Sequence, residues 1–145
     1  MFFSPCNENL LTGVVTSPNF PDNYPNNLEK IQTIQVKSGK ILKLEFTHFE
    51  VEACNVETWD GTEYVEGTGD TTCPCDFVTI TDGDGTILMD KSCGSGNPSR
   101  SDYFQPPVIT SRSNRVEIFF HTYGNGHTFG WSLGWAAVTP GMDAP

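Results

Sequence analysis

Phe129-Gly130-Trp131-Ser132-Leu133-Gly134-Trp135 sets a large apolar side chain at every second position, with only Gly or Ser between them. A period of two belongs to a β-strand, because successive side chains point to opposite faces, whereas a helix repeats its apolar positions every three to four residues. The stretch therefore predicts a strand whose inner face is Phe129, Trp131, Leu133 and Trp135, with something packed closely on the small-residue side. The same alternation recurs upstream. Val116, Ile118 and Phe120 form one inward stripe, and Leu42, Leu44 and Phe46 form another whose opposite face carries Lys43, Glu45 and Thr47. Residues 77–80 enter the turn Asp82-Gly83-Asp84-Gly85 and residues 86–89 leave it, which reads as a hairpin. Helical periodicity is absent, so the fold class is all-β, an antiparallel sandwich or barrel.

Two stretches are predicted not to be strands. Ser17-Pro18-Asn19-Phe20-Pro21-Asp22-Asn23-Tyr24-Pro25 combines three prolines with aromatics, which suits a rigid extended loop with its rings packed on the sandwich. Residues 54–75 are rich in Gly, Thr and acids, among them Glu57, Asp60, Glu63, Glu66 and Asp70, and read as one long surface loop. A bridge between Cys54 and Cys75 would close its base.

The 145 residues suit one domain, and 8 basic against 18 acidic side chains give a net charge of −10. With no Lys/Arg cluster, the chain is a poor partner for nucleic acid or an anionic membrane, since neutralising phosphates takes grouped cations, and neither nucleic-acid binding nor membrane insertion is expected. Cationic partners or metal ions fit better. No apolar run reaches the roughly 20 residues that span a bilayer. Met1-Phe2-Phe3-Ser4-Pro5 lacks the basic start and small-residue cleavage site of a signal peptide, so secretion predicts a mature or excised segment.

Five cysteines, Cys6, Cys54, Cys73, Cys75 and Cys93, point to an oxidising compartment, and their odd number leaves one free, bonded to another chain, or separated from its partner. Four paired cysteines already allow three connectivities. Cys73-Pro74-Cys75 lacks the companion ligands of a zinc site. The Asp82-Gly83-Asp84-Gly85 turn fails the EF-hand pattern, with Ile80 at the first ligand position and Lys91 at the last. His121, His127 and the serines of residues 94–101 form no nucleophile elbow or acid–base pair, so no enzyme is predicted.

The chain resembles the CUB domain family of secreted β-sandwich interaction modules. The likeness rests on Gly13-Val14-Val15-Thr16 running into Ser17-Pro18-Asn19-Phe20-Pro21 and Tyr24-Pro25, on Phe46-Thr47-His48-Phe49-Glu50-Val51-Glu52, on Cys73-Pro74-Cys75-Asp76-Phe77-Val78-Thr79-Ile80, on Cys93-Gly94, and on Phe129-Gly130-Trp131. It implies a jelly-roll-like sandwich occupying residues 1–145 as a single domain, with a core of about 6–138, an inserted acidic loop at 54–75 and a tail at 139–145. It also implies a bridge between Cys73 and Cys93, which leaves Cys54 and Cys75 as a staple across the insertion. Lys30 and Gln32 stand where the family's usual partner for Cys6 is found, leaving Cys6 as the odd cysteine. Gln32 shares parity with Ile34 and Val36, so its inward amide must find a partner or cost about 1 to 3 kcal/mol.

Many members of the family bind calcium, and Glu52 and Asp76 match two of the ligand positions. Tyr123 stands where a third carboxylate is usual, so Asn125, loop carbonyls of residues 123–126, Glu50, Glu57 or Asp70 would have to complete the set. Glu52, Asp76 and Tyr123 are accordingly the expected metal-linked surface for an extracellular protein partner that offers Lys or Arg. The resemblance leaves two other readings open. One is carbohydrate binding through loop aromatics, with Trp59 and Tyr64 as candidates. The other is a structural or matrix component, a disulfide-linked homodimer through Cys6.

Overall fold

The computed structural model describes residues 10–53, 58–59, 64–65, 73, 75–124 and 128–141. In chain order the strands are β1 Thr12–Thr16, β2 Glu29–Gln35, β3 Ile41–Val51, β4 Thr58–Trp59, β5 Tyr64–Val65, β6 Phe77–Asp82, β7 Ile87–Ser92, β8 Gly94–Ser95, β9 Ile109–Thr110, β10 Arg115–His121 and β11 Gly130–Val138. None of the described residues is helical. One sheet has the order β1-β11-β3-β8, with β9 also on β3, and the other has the order β2-β10-β6-β7. Every pairing of named strands is antiparallel, so the predicted all-β sandwich is the fold observed.

The inward stripes behave as their alternation predicts. Leu42, Leu44, Val116, Ile118, Val78, Ile80 and Ile34 are fully buried, while Lys43, Glu45 and Thr47 are exposed. At one end of the core the Trp131 ring of the first sheet meets Phe46 edge-on at 6.0 Å and, across the sandwich, Phe120 of the second sheet at 5.8 Å. Gln32 is half-buried, and its Nε2 donates to the Thr16 carbonyl at 2.9 Å, tying an edge strand of one sheet to an edge strand of the other. The inward amide has the partner it requires.

Four local features differ from the sequence reading. The residue pairs across β11 and β3 step from Ser132–His48 to Leu133–Phe46, leaving Thr47 as the extra residue of a bulge. Consecutive Thr47 and His48 are both exposed for that reason, and Phe46 and Phe49, three apart, both point inward with their rings 5.1 Å apart. Phe129 is not part of the inner stripe. The strand begins at Gly130, and Phe129 lies before it, 37% exposed, with its ring 6.1 Å from Phe20. The proline-rich stretch is turned rather than extended, since Phe20 N donates to the Ser17 carbonyl and Asp22 N to that of Asn19. The inserted segment is not wholly loop, because β4 pairs with β5, Trp59 opposite Tyr64. Thr, Trp, Tyr and Val flanking Asp60-Gly61 are the residue types of a hairpin.

Cys73 and Cys93 form the bridge that the resemblance implies, with their Cα atoms 5.7 Å apart. Cys75 is also disulfide-bonded. Cys54 and Cys6 lie outside the described residues.

The close approach expected on the small-residue side of β11 is made by Ser17. Gly130 has φ +86°, and a Cβ there would lie 2.0 Å from Ser17 Oγ, which accepts a hydrogen bond from Trp131 N at 3.0 Å. A side chain at this position meets both a left-handed backbone and a clash. Gly130→Ala should therefore lower unfolding free energy in urea by at least about 2 kcal/mol. Gly134→Ala, whose Cβ would sit at an ordinary 3.7 Å from the Glu45 carbonyl, should change it by less than about 1 kcal/mol.

Candidate functional site

The residue immediately before β6, Asp76, is 1% exposed. A carboxylate removed from water needs its oxygens satisfied, and two neutral donors do so here. The Tyr24 hydroxyl donates to Oδ2 at 2.5 Å and the Tyr123 backbone N–H donates to Oδ1 at 2.7 Å. Tyr24 comes from the proline-rich loop. Its ring packs edge-on against Phe120 at 4.9 Å, and its oxygen also accepts from the Glu52 backbone N–H at 3.1 Å. One phenol thus joins Asp76, the end of β3 and the loop that leads from β1 to β2. Burial, and then the hydrogen bond to Asp76, push the Tyr24 phenol well above its usual range.

The segment after β10 is held to the same loop. Thr122 is buried, donating through Oγ1 to the Pro25 carbonyl and accepting from Leu28 N, both at 2.8 Å. Asn27 N donates to the Tyr123 carbonyl at 3.0 Å. These bonds fix the backbone around Tyr123 while its side chain stays 61% exposed.

The structure brings Asp76, the Tyr123 backbone and the Glu52 backbone together through Tyr24. Glu52 itself is half-buried. No ion pair to Asp76 is formed by a cation among the described residues, nor does any group of three or more His, Cys, Asp or Glu side chains converge there in a metal-holding arrangement. Asn125, Glu57 and Asp70 lie outside the described residues, as do the side chains of Trp59 and Tyr64, whose backbones pair in the β4–β5 hairpin. Asp76 is no solvated strand-end carboxylate.

Sequence reasoning missed the phenol's role, although Tyr24 stands in a quoted motif, because a ring beside prolines reads as packing. It also missed Asp82, read only as a turn residue. Asp82 is 2% exposed, and its Oδ1 accepts from Arg112 N, Ser113 N and Ser113 Oγ at 3.1 to 3.2 Å, anchoring the far end of β6. The only sequence signal is an Asp paired with a Ser-rich turn.

A family model for the CUB domain matches residues 6–135. Cubilin from Sus scrofa is 36% identical over 124 residues, which make up 84% of this chain and 3% of cubilin. Human mannan-binding lectin serine protease 1 is 30% identical over 136 residues, 92% of this chain and 16% of the protease. The chain thus spans a small part of the length of these relatives. Among solved structures, the CUB1-EGF-CUB2 domain of human MASP-1/3 superposes with a TM-score of 0.66 at 29% identity, covering 90% of this chain and 41% of that one. The MASP-1 CUB2 domain bound to Ca2+ gives 0.64 at 27% identity, covering 90% of this chain and 96% of that one.

The Tyr24–Asp76 bond makes a prediction at alkaline pH. An unfolded phenol ionises at about pH 10. The folded protein holds the Tyr24 proton to higher pH, so this contribution to stability is complete below about pH 10 and declines as pH rises past it. Tyr24→Phe should cost about 1–3 kcal/mol at neutral pH, by depriving a buried carboxylate of a donor. The gap from the parent protein should narrow above about pH 10, as urea unfolding at a series of pH values would record.

Proposed function

The chain belongs to the CUB domain family, and from that premise we propose that it is a non-catalytic extracellular interaction module that engages a protein partner through the end of the sandwich built around Asp76. The observation that carries this reading is a buried carboxylate whose donors among the described residues are neutral, at one end of an acidic domain. Its negative charge is compensated by no ion pair among the described residues. A cation from outside would stabilise it.

Calcium suits the donor chemistry. Asp76 and Glu52 offer the hard oxygens that calcium prefers, and each Asp76 oxygen keeps a lone pair beyond the one hydrogen bond described for it. The MASP-1 CUB2 domain, similar over 90% of this chain, was solved bound to Ca2+. Asp76, Glu52 and Asn125 would hold the ion here, with backbone carbonyls making up for the carboxylate that Tyr123 replaces. When bound, the metal would supply positive charge beside Asp76 and order the surrounding loops.

The partner's contribution is a Lys or Arg side chain, favoured by the net charge of −10. Exposed ion pairs give at most about 1 kcal/mol each, so the exposed Tyr123 ring supplies apolar contact beside them. The Cys73–Cys93 bridge supports an oxidising, extracellular setting.

Thermal unfolding with calcium, with magnesium and with EDTA tests the metal. A ligand at 100 times its dissociation constant that binds only the folded state adds about 2.7 kcal/mol. The expected result is a calcium-specific rise in Tm that Glu52→Gln abolishes. No rise removes the metal from the mechanism. Asp76→Ala is the poorer probe, since it leaves the Tyr24 hydroxyl and Tyr123 N–H without their acceptor and should itself cost about 1–3 kcal/mol. On a lysine-derivatised resin, Glu52→Ala and Tyr123→Ala should each elute earlier than the parent chain, and unchanged retention of both would refute the partner surface.

A further inference from the structure

On the outer side of the β3–β11 sheet, at the same end of the sandwich, a groove of about 300 Å3 is lined by residues that include Glu50 and Phe129. We infer that this groove is a second binding site, one that seats an arginine side chain of a protein partner independently of calcium. It goes beyond the function proposed above and uses neither Glu52, Asp76 nor a metal.

The carboxylate is fixed in advance. Glu50 pairs across the sheet with Gly130 on one side and Ser95 on the other. Ser95 is 2% exposed, and its hydroxyl is shared between the two Glu50 oxygens at 2.6 and 2.5 Å. A hydroxyl carries one proton, so this contact leaves most of the acceptor capacity of the carboxylate unused. The backbone beneath is pinned by Gly96 N donating to the Phe49 carbonyl at 2.8 Å and Thr128 Oγ1 to the Glu50 carbonyl at 2.7 Å.

No cation among the described residues pairs directly with the Glu50 carboxylate. Arg100, whose charge is close enough to interact with Glu50, is engaged by Asp102 through Nε at 3.0 Å. Desolvating an uncompensated carboxylate by covering it with a neutral partner is unfavourable, whereas a cation gains from it.

The aromatic wall selects among cations. Phe129 is 37% exposed although it is a large apolar ring, with Phe20 tilted against it and His48 5.5 Å from Phe20. A guanidinium is flat and weakly hydrated, stacks on such a face, and carries five donors for a carboxylate and neighbouring amide oxygens. Gln105 lines the remaining side and offers an amide oxygen, whereas that of Asn97 already accepts from Ser99 N and Ser99 Oγ. Lysine offers neither the plane nor the fork.

Amide NMR of the full chain in EDTA tests the site, with N-acetyl-arginine amide as probe, its citrulline counterpart as neutral isostere and the lysine counterpart for comparison. Arginine should move the amides of Glu50, Gly96, Gln105 and Phe129, lysine should move them less, and citrulline should leave them in place. Glu50→Gln, which keeps a side-chain acceptor for the Ser95 hydroxyl, and Phe129→Ala should each weaken the arginine response at least about five-fold, with the rest of the spectrum unchanged. Glu52→Gln should bind as the parent does, which separates this groove from the calcium-linked surface. Shifts confined to residues around Asp76 and Tyr123, an equal response to citrulline, no response at all, or undiminished binding by both Glu50→Gln and Phe129→Ala would each overturn the inference.

Discussion

A buried carboxylate that no cation among the described residues pairs with must draw its hydrogen bonds from whatever surrounds it, and at Asp76 this requirement organises one whole end of the molecule. The Tyr24 hydroxyl donates to it and in turn accepts from Glu52 N, so the proline-rich loop, the end of β3 and the entrance to β6 converge on one oxygen. Tyr123 N closes the arrangement from the segment after β10. Each of these backbones would otherwise be a surface loop free to move. The phenol can do this because its ring is seated edge-on against Phe120, which meets Trp131 from the other sheet. The polar cluster and the aromatic core therefore hold each other in place.

The same core sets the geometry of the outer groove. Ser17 packs directly over Gly130, and that contact needs both the missing side chain and the positive φ. Phe129 precedes this glycine and is turned out of the inner stripe, towards Phe20 and solvent. Where the strand begins decides whether a phenylalanine is core or contact surface. A single backbone torsion at Gly130 thus separates the buried Trp131 from the exposed Phe129.

Much of the fold was legible in the sequence because the determinant is local. Alternation within Leu42, Leu44 and Phe46 or within Val116, Ile118 and Phe120 needs no partner strand to be read. The bulge at Thr47 was also written there, as Phe46 and Phe49 set three apart in a period-two strand, but a spacing of three has meaning only once both rings are known to be inward. The Cys73–Cys93 bridge came from the family resemblance rather than from spacing. The candidate site was legible only in outline. Glu52 and Asp76 could be placed by motif, yet the burial of Asp76 and its bond to Tyr24 arise between residues 52 apart in the chain, where sequence pattern carries no distance information. Asp82 escaped for the same reason, its donors lying about thirty residues further on.

The burial of Asp76 also divides labour among the acids. An acid whose two oxygens accept a phenol and an amide inside the protein is a poor direct contact for a partner, and its effect outside is exerted through its charge and through the loops it holds. Under the proposed function, direct contact would fall to groups with open faces. These are the half-buried side chains of Glu52 and Glu50 and the exposed rings of Tyr123 and Phe129. Carboxylates at a solvent rim bind weakly alone, and rings at a rim discriminate poorly alone. Placed side by side, the ring excludes water from the charge, and the charge selects what may lie on the ring. Under the proposed function, specificity arises where the two coincide, as with Tyr123 beside the Asp76 cluster and Phe129 beside Glu50, which fall at the end of the sandwich that the Tyr24–Asp76 bond holds together.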